Sequence, residues 1–439
     1  MEKEKIENKT GKVAIIGLGY VGLPHAIEIA KAGFQVFGID IKKERADSIN
    51  RGESYIGDVK SDDLARLVEA GKIKAYGDFE PLKESDVIVI CVPTPLDKYK
   101  TPDISYIRSS AEEIAKYMHK EQVIILESTS YPGTTEEIVL PILEKSGLKC
   151  GTDFYLAFAP ERIDPGNKMP FSEVPKVVGG ITKECTQIAV LFYSQFLKHV
   201  YPVSSAKTAE MAKLLENTYR LVNISMINEL ALLCGKMRID IWEVIEAAKT
   251  KPYGFSPFYP TSKIGGHCIP LDPFYLSFKA REYNFWPRFI ELAGEINEQM
   301  PHFTVVKVNY LLNKNKKSIN GSKILVWGVA YKKDVNDARE SGAYDVISEL
   351  IKKGAEVNYF DPYVKELEIK DSIFAKGLAG DKKELKSIEY NLEILKNYDL
   401  VLILTDHSGF NYDEIARNSN LVVDTRNAIK SREHKNVIW

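Results

Sequence analysis

The chain has 439 residues, of which 44% are hydrophobic and 27% are charged, as in a globular protein of two or three domains. A net charge of −2 argues against nucleic acid or an anionic membrane surface as a partner, so local positive groups must hold any anionic ligand. No run approaches the ~18 apolar residues of a membrane span. Five scattered cysteines without a secretory leader predict a reducing cytoplasm, and the charged residues 1–10 are predicted to form a loose tail.

The first strong motif follows a short apolar run, residues 12–16, which is rich in β-branched side chains as a buried parallel strand is. Residues 17–22 then read Gly-Leu-Gly-Tyr-Val-Gly, and residues 23–32 predict a helix. A second strand, residues 35–39, ends at Asp40. Strand, G-x-G-x-x-G, helix, strand and acid in this order predict a dinucleotide-binding unit.

The three glycines and the acid have separate physical reasons in such a unit. Gly17 makes the tight turn, Gly19 lets a pyrophosphate approach the backbone, and Gly22 lets the helix pack on the strand. The helix N-terminus supplies N–H groups to the diphosphate. Asp40 would bind the adenosine ribose, which favours NAD over NADP. The predicted cofactor-binding turn consists of Gly17, Gly19, Tyr20, Val21 and Gly22.

Further strands are predicted at residues 86–91, 122–126 and 154–158, and polar residues follow each of them. Ligands bind beyond the carboxyl ends of the strands in an open α/β sheet. Thr94, Thr129 and Glu161 follow such ends and are candidate site residues, although threonine and glutamate are also ordinary helix-capping residues.

One long, proline-free helix is predicted from about residue 205 to residue 234, closed by Gly235. It would span roughly 45 Å, and apolar residues go most of the way round it, so burial on nearly all sides is expected. We interpret it as the spine that joins two α/β domains and as a dimer contact. Lys213 and Asn217 share one face of it, where they either bind a substrate oxygen or form a solvated stripe.

The segment 265–272 reads Gly-Gly-His-Cys-Ile-Pro-Leu-Asp. Gly265 and Gly266 permit a close approach to Cys268, and the prolines would hold Cys268 and Asp272 in a defined relation. A nucleophilic thiolate needs positive charge nearby, for which His267 and Lys263 are local candidates and a lysine from elsewhere in the chain is an alternative. The alternative is a structural cysteine. No second Cys/His pair stands at ligand spacing, so no metal site is predicted.

A second strand–turn–helix–strand unit begins at residues 323–327 and continues through Gly328 to a helix at 341–353 and Asp361. Its single glycine favours a nucleotide over a second dinucleotide. Four basic residues follow strands where a nucleotide diphosphate could lie: Lys332, Lys333, Arg339 and Arg426.

These motifs together resemble the UDP-glucose/GDP-mannose dehydrogenase family from about Lys12 to Asn427. The landmarks occur in order at residues 17–22, 93–95, 128–129, 160–161, 213–217, 265–268, 328–332 and 424–427. Residues 257–260, 268–276, 288–293 and 131–135 look most like the UDP-N-acetylglucosamine 6-dehydrogenase branch. Thr261, Ser262 and Lys263 replace a Gly-Pro-Gly that many relatives carry.

The resemblance implies two Rossmann-like, doubly wound parallel-sheet domains joined by a long central helix. The expected boundaries are an NAD-binding domain at residues 1–204, a central helical and dimerisation domain with the cysteine loop at 205–315, and a UDP-sugar-binding domain at 316–439. The expected assembly is a homodimer or a higher homo-oligomer.

The implied reaction is a four-electron oxidation of a sugar C6 alcohol to an acid with two NAD⁺. Cys268 would attack the aldehyde, and water activated by Glu161 would hydrolyse the resulting thioester. Thr129 and Asp272 would hold a water that acts as the first base. The implied oxyanion donors are Lys213 and Asn217.

The remaining implied contacts are with the two ligands. Pro93, Thr94, Thr129 and Arg339 would join the turn and Asp40 in binding NAD. The predicted substrate-binding set is Glu161, Arg162, Lys213, Asn217, Phe258, Tyr259, Gly265, Arg288, Lys332 and Arg426.

Several alternatives stay open at this stage. The predicted substrate is UDP-N-acetylglucosamine, with UDP-N-acetylmannosamine or UDP-glucose as alternatives. A single-step hydroxyacid dehydrogenase would need neither Cys268 nor the second nucleotide domain. A sensor that binds NAD or a nucleotide sugar without turnover would need none of the catalytic groups.

Overall fold

The computed structural model describes residues 2–57, 59–162, 169–369 and 383–439. The chain divides into two compact units, Met1–Glu216 with Leu271–Trp286, and Asn217–Pro270 with Pro287–Trp439. The predicted three-domain boundaries stay a prediction.

The first unit contains an eight-stranded sheet in the order β3-β2-β1-β4-β5-β6-β7-β8. The first six positions have the order of a dinucleotide-binding fold, and all neighbours are parallel except β6 and β7. Its strands are β1 Lys12–Ile16, β2 Gln35–Ile39, β3 Ile73–Tyr76, β4 Val87–Ile90, β5 Val123–Leu126, β6 Tyr155–Phe158, β7 Lys176–Gly180 and β8 Val200–Pro202.

Side chains alternate between two cores along these strands. Val13 and Ile15 pack on one face of the sheet, whereas Ala14 and Ile16 pack on the other. Both faces are therefore covered, which explains why β1 is apolar throughout and is not alternating in polarity.

The second unit contains a five-stranded parallel sheet in the order β10-β9-β13-β14-β15. Ile324 and Val326 face one core and Leu325 and Trp327 the other, so this sheet is also covered on both faces. Its strands are β9 Lys323–Trp327, β10 Glu356–Phe360, β13 Leu400–Ile403, β14 Val422–Asp424 and β15 Val437–Ile438, and the separate antiparallel pair is β11 Glu366–Ile369 and β12 Lys383–Lys386.

The α-helices connect the strands and carry the candidate site residues. In chain order they are α1 Glu2–Glu7, α2 Gly22–Lys31, α3 Lys43–Asn50, α4 Ser61–Glu69, α5 Ser105–Tyr117, α6 Leu140–Leu143, α7 Lys183–Tyr193, α8 Ala206–Met237, α9 Ile241–Lys249, α10 Asp272–Ala280, α11 Arg288–Lys314, α12 Gly342–Lys352 and α13 Tyr412–Asn418. Among the described residues, no helix has both the length and the apolar character needed to cross a bilayer.

Two sequence predictions about helices were wrong. The first ten residues are not simply a loose tail, because α1 buries Ile6 completely and Lys5 pairs with Asp86. Helix α8 does not stop at Gly235 but continues to Met237. A glycine inside a helix costs only about 1 kcal/mol, which the rest of a long helix outweighs.

Helix α8 is less enclosed within one chain than its apolar sequence predicted. Leu221 is fully buried, whereas Leu215 and Leu233 are 59% and 50% exposed. The apolar surface that remains on α8 includes Met211, Leu215, Tyr219, Met226, Leu230, Leu233 and Met237.

Candidate active site

The turn between β1 and α2 has the shape that a dinucleotide requires. Gly17 has φ +92°, and a Cβ there would lie 2.6 Å from the carbonyl oxygen of Cys91. A Cβ on Gly22 would lie 1.9 Å from the carbonyl oxygen of Gly17. A Cβ on Gly19 would meet no atom within 4 Å, so the backbone there is open to a pyrophosphate. The residues present therefore fit NAD.

Asp40 lies at the end of β2, where the fingerprint predicted it. Its carboxylate accepts the main-chain N–H groups of Leu18 at 3.0 Å and Lys42 at 2.9 Å. Arg45 on α3 also donates to it at 3.1 Å, and its guanidinium lies over the ring of Tyr55. Sequence reasoning missed Arg45, although a basic residue five positions after the acid was a visible signal.

Two polar loops follow β4 and β5 in the first unit. Pro93 is exposed and Thr94 is buried, and the carbonyl of Thr94 accepts the hydroxyl of Tyr275. Thr129 is partly buried after β5. Each predicted residue is thus found after the end of its strand.

Buried Glu210 on α8 fixes the loop that follows Thr129. It accepts the N–H of Gly133 at 2.5 Å and both the N–H and the hydroxyl of Thr135, at 2.9 and 2.7 Å. Burial raises the pKa of Glu210 to about 7, against the lowering effect of these hydrogen bonds. Sequence reasoning missed this residue, which lies one helical turn before Lys213.

Glu161, Arg162 and Lys213 come together after β6. The buried ammonium of Lys213 donates to the main-chain carbonyl of Glu161 at 2.8 Å. Arg162 donates to both oxygens of Glu216, at 3.2 and 2.6 Å. The structure thus brings three predicted substrate-binding residues to the start of α8.

The carboxylate of Glu161 belongs to a group of four charged residues whose side chains are at most 10% exposed, which we call the charge cluster: His25, Glu127, Glu161 and Lys176. The Nε2 atom of His25 lies 2.5 Å from Glu161, and Lys176 Nζ lies 2.9 Å from the same oxygen. Burial alone would raise the pKa of Glu161, but Lys176 and His25 together hold it well below its ordinary 4.5.

Sequence reasoning missed three members of the charge cluster. His25 lies among buried apolar residues of α2, and Glu127 follows a strand whose side chains are all buried. A titratable residue inside an apolar run was therefore the available signal, but sequence spacing does not show which such residues meet.

Asp272 and Cys268 differ in their exposure to solvent. Asp272 is 4% exposed in the first turn of α10, where a negative charge complements the helix dipole. Cys268, in the second unit, is exposed. Gly266 has φ +84°, and a Cβ there would lie 2.8 Å from the ring of Tyr331, so this turn requires glycine.

Lys263 does not match its suggested role beside the cysteine. Its ammonium is bound to Glu298 at 2.9 Å and to Asp345 at 2.8 Å. Since two carboxylates neutralise it, Lys263 is a poor source of positive charge for a thiolate.

The other predicted substrate-binding residues of the second unit differ in their contacts and in their burial. Phe258 packs edge-on against Tyr219, and Tyr259 stacks on Trp242 and donates its hydroxyl to Glu246. Gly265 is partly buried, Asn217 is partly buried on α8, and Arg288 is exposed at the start of α11.

The predicted nucleotide-binding arginines are paired with carboxylates in the structure. Arg339 forms a bidentate pair with Asp337, and Arg426 donates to Asp406 at 3.1 Å. Lys332 is partly buried in the loop after β9. A diphosphate that engages these arginines must therefore compete with aspartates.

The chain matches all three domains of the UDP-glucose/GDP-mannose dehydrogenase family. The NAD binding domain matches residues 11–197, the central domain residues 207–299 and the UDP binding domain residues 325–431. The chain belongs to this family. Membership makes it an NAD-dependent oxidoreductase, and it confirms the predicted family, fold class and cofactor.

Other members of the UDP-glucose/GDP-mannose dehydrogenase family align over most of the chain. The UDP-N-acetyl-D-glucosamine 6-dehydrogenase of Pseudomonas aeruginosa is 38% identical over 356 residues, which cover 80% of this chain and 83% of that protein. The UDP-N-acetyl-D-mannosamine dehydrogenase of Pyrococcus horikoshii is 35% identical over 428 residues, with coverages of 95% and 96%.

A solved structure agrees with these alignments. The UDP-D-ManNAc dehydrogenase from Pyrococcus horikoshii has a TM-score of 0.85 at 33% identity and covers 97% of this chain and 98% of that one. The alignments and the solved structure thus agree on the family of this chain. The names of these relatives specify different sugars, N-acetylglucosamine and N-acetylmannosamine.

Proposed function

We propose that the protein oxidises the C6 alcohol of a UDP-sugar to a uronic acid in two steps, through a covalent intermediate on Cys268. The observation that carries this proposal is an exposed thiol after two glycines in a chain with NAD-binding and UDP-binding family domains. An enzyme that stopped at the aldehyde would have no use for that nucleophile.

The first oxidation converts the alcohol to an aldehyde. A water held by Thr129 and Asp272 takes the alcohol proton. NAD⁺, held by the turn after β1, would supply the hydride acceptor for each of the two oxidations.

The second oxidation begins with a new bond between Cys268 Sγ and the aldehyde carbon. The resulting thiohemiacetal loses a hydride and its hydroxyl proton, which leaves a thioester. Lys213 and Asn217 stabilise the oxyanions formed on the way. Glu161 takes a proton from water, the hydroxide adds to the thioester, and the C–S bond breaks to release the acid and the Cys268 thiolate.

The contacts of Lys213 support its assigned role. A long cationic side chain has high conformational freedom, and burial with a hydrogen bond to the Glu161 carbonyl removes much of that freedom before substrate binds. A preorganised donor of this kind is worth more to an oxyanion than a mobile one, because it needs no reorganisation during the reaction.

We propose that the UDP half of the substrate is read by Lys332 and Arg426, and that Arg339 contacts NAD. These residues follow strands of the family's UDP binding domain. Their aspartate partners keep the arginines ordered before the diphosphate arrives.

We propose UDP-N-acetylglucosamine as the sugar nucleotide, supported by the likeness to the Pseudomonas enzyme. Phe258, Tyr259 and Arg288 are candidates to contact the C2 acetamido group. UDP-N-acetylmannosamine is the second candidate, because the Pyrococcus relative named for it covers more of the chain.

We further propose a homodimer or higher homo-oligomer in the cytoplasm. The exposed apolar side chains of α8 supply a surface for a second copy, and a nucleophilic thiol requires reducing conditions. Sedimentation analysis would contradict this proposal by giving the mass of one chain at micromolar concentration.

The test of the covalent mechanism is Cys268→Ala, with Cys234→Ala as a matched control in the same unit. Uronic acid formation should fall by about a thousandfold or more in Cys268→Ala, as for loss of other enzymic nucleophiles. The control should retain activity. Normal uronic acid formation by Cys268→Ala would show that the cysteine is structural.

A further inference from the structure

The imidazole of His25 lies between two carboxylates of the first unit, those of Glu127 and Glu161. Its Nδ1 atom is 2.6 Å from Glu127 Oε2, and its Nε2 atom is 2.5 Å from Glu161 Oε2. The second contact is an ion pair by distance, since its alignment does not meet the geometry of a hydrogen bond. His25 is 2% exposed, so water does not screen either contact.

Lys176 provides a second link between the same carboxylates. Its ammonium lies 3.1 Å from Glu127 Oε1 and 2.9 Å from Glu161 Oε2, and Lys176 is 4% exposed. Two cations therefore face two anions inside the domain, which is the arrangement that buried charges require.

Two neutral titratable groups of the described residues also contact the charge cluster. Tyr193 on α7 donates its hydroxyl to Glu127, and Cys91 after β4 donates its thiol to Glu127 at 3.7 Å. Burial and the charge of Glu127 raise the pKa of both groups. In the part of the chain that the structure describes, the charged and titratable groups around His25 are thus Glu127, Glu161, Lys176, Cys91 and Tyr193.

This balance keeps His25 protonated. Burial lowers its pKa, but Glu127 and Glu161 outweigh burial and raise it to about 9. The imidazolium and Lys176 hold Glu161 as a carboxylate in return. Arg162 fixes the other oxygen, because its main-chain N–H donates to Glu161 Oε1 at 2.7 Å.

We propose that His25 is a positioning residue for Glu161, which keeps that carboxylate ionised and oriented so that thioester hydrolysis continues at acidic pH. This inference rests on the proposed function, in which Glu161 takes the proton of the hydrolytic water. Glu127 serves as the second anion that keeps His25 charged. The same anchoring fixes the Glu161 main chain, whose carbonyl holds Lys213.

The first test compares pH profiles of kcat for the full-length enzyme and His25→Asn. Loss of the imidazolium removes an opposite charge from Glu161, so the acid limb should move to higher pH by about one unit or more. His199→Asn is the matched control, because His199 also lies near a glutamate, Glu173 at 4.0 Å, but is 62% exposed. Its profile should coincide with that of the wild type.

Intact-protein mass spectrometry identifies the step that is affected. In His25→Asn below its acid limb, a uronyl adduct should accumulate on Cys268 during turnover, because hydrolysis has become slow. A profile that coincides with the wild type, or a shifted profile without the adduct, would overturn the proposal.

A measurement on the unsubstituted enzyme covers the case in which His25→Asn does not fold. Long-range ¹⁵N–¹H NMR should show one histidine with both ring nitrogens protonated above pH 7.5, and titration of every histidine near 6.5 would overturn the proposal. If the wild type oxidises no UDP-sugar, the proposed function fails, and the NMR result separately decides the charge state of His25.

Discussion

Asp40 follows β2 in the first unit, Asp361 follows β10 in the second, and each accepts main-chain N–H groups from the glycine turn beside it. Asp40 receives three donors, from Leu18, Lys42 and Arg45. A carboxylate has about four acceptor sites, so one site of Asp40 remains for a ribose hydroxyl.

Asp361 has no acceptor site left for a ligand. It is fully buried, and five donors already reach it: the N–H groups of Val329, Ala330, Tyr363 and Val364, and Nε2 of His407. The same residue at the same topological position therefore keeps acceptor capacity in one unit and closes the turn in the other. This difference, with the single Gly328 in the turn, agrees with the match of this part of the chain to the family's UDP binding domain.

The largest expected effect is on stability. Asp361→Ala leaves several buried N–H groups and His407 without their acceptor, so it should lower the free energy of unfolding by about 3–5 kcal/mol. Asp40→Ala should cost only about 1 kcal/mol, since its turn is closer to solvent. Urea denaturation measures both variants, and equal losses would contradict the comparison.

The next effect is on the pH dependence of the free energy of unfolding. Glu210 in the first unit and Asp361 in the second contribute to it with opposite signs. The pKa of Glu210 is raised in the folded state from 4.5 to about 7, so its contribution is fully present below pH 4.5 and is lost as pH rises towards 7. At about 1.36 kcal/mol for each pKa unit, that shift corresponds to about 3 kcal/mol of the free energy of unfolding.

The contribution of Asp361 to stability changes with pH in the opposite direction. Burial would raise its pKa, but His407 and the main-chain N–H groups lower it below 3.8, so its contribution is lost as pH falls. Thermal unfolding between about pH 5 and 6, where His25 is still largely protonated in the unfolded chain, should show a decline that Glu210→Gln abolishes. An unchanged slope in Glu210→Gln would refute the assignment to Glu210.

A smaller effect concerns cofactor choice. Asp40→Asn should lower kcat/KM for NAD by roughly five- to a hundredfold, as loss of a hydrogen bond of about 1–3 kcal/mol predicts. It should also narrow the preference over NADP, because a negative charge no longer faces the 2′-phosphate. Comparable kcat/KM values of the wild type for both cofactors would contradict the role of Asp40.

The smallest effect is expected at Arg45. Its pair with Asp40 is partly exposed, and such pairs contribute at most about 1 kcal/mol, so Arg45→Met should change kcat/KM for NAD by no more than about fivefold. The exposed pair of Arg51 and Glu53 provides the control, and Arg51→Met should have no effect. A change above tenfold in Arg45→Met would show that Arg45 contacts the cofactor itself.

The fold was largely predictable because its signals are local. Apolar strands, the glycine turn and Asp40 follow one another within 30 residues, and their order defines a Rossmann unit. Helix α1 was not predictable in this way, because Ile6 is buried only by packing that the sequence does not show.

The site was predictable only in part. The rule that ligands bind at the carboxyl ends of strands identified Glu161, but its partners His25 and Lys176 come from α2 and β7. No spacing in the sequence relates positions so far apart. Tertiary packing decides which buried charges meet, and the charge cluster became visible only in the fold.

The covalent two-step mechanism is tested by the amount of NADH formed per UDP-sugar at complete conversion. Purified enzyme should be incubated with limiting UDP-N-acetylglucosamine and, separately, UDP-N-acetylmannosamine and UDP-glucose, with product mass measured alongside. We expect two NADH for each sugar oxidised, a uronic acid product, and the highest kcat/KM with UDP-N-acetylglucosamine. One NADH per sugar with an aldehyde product would contradict the covalent mechanism.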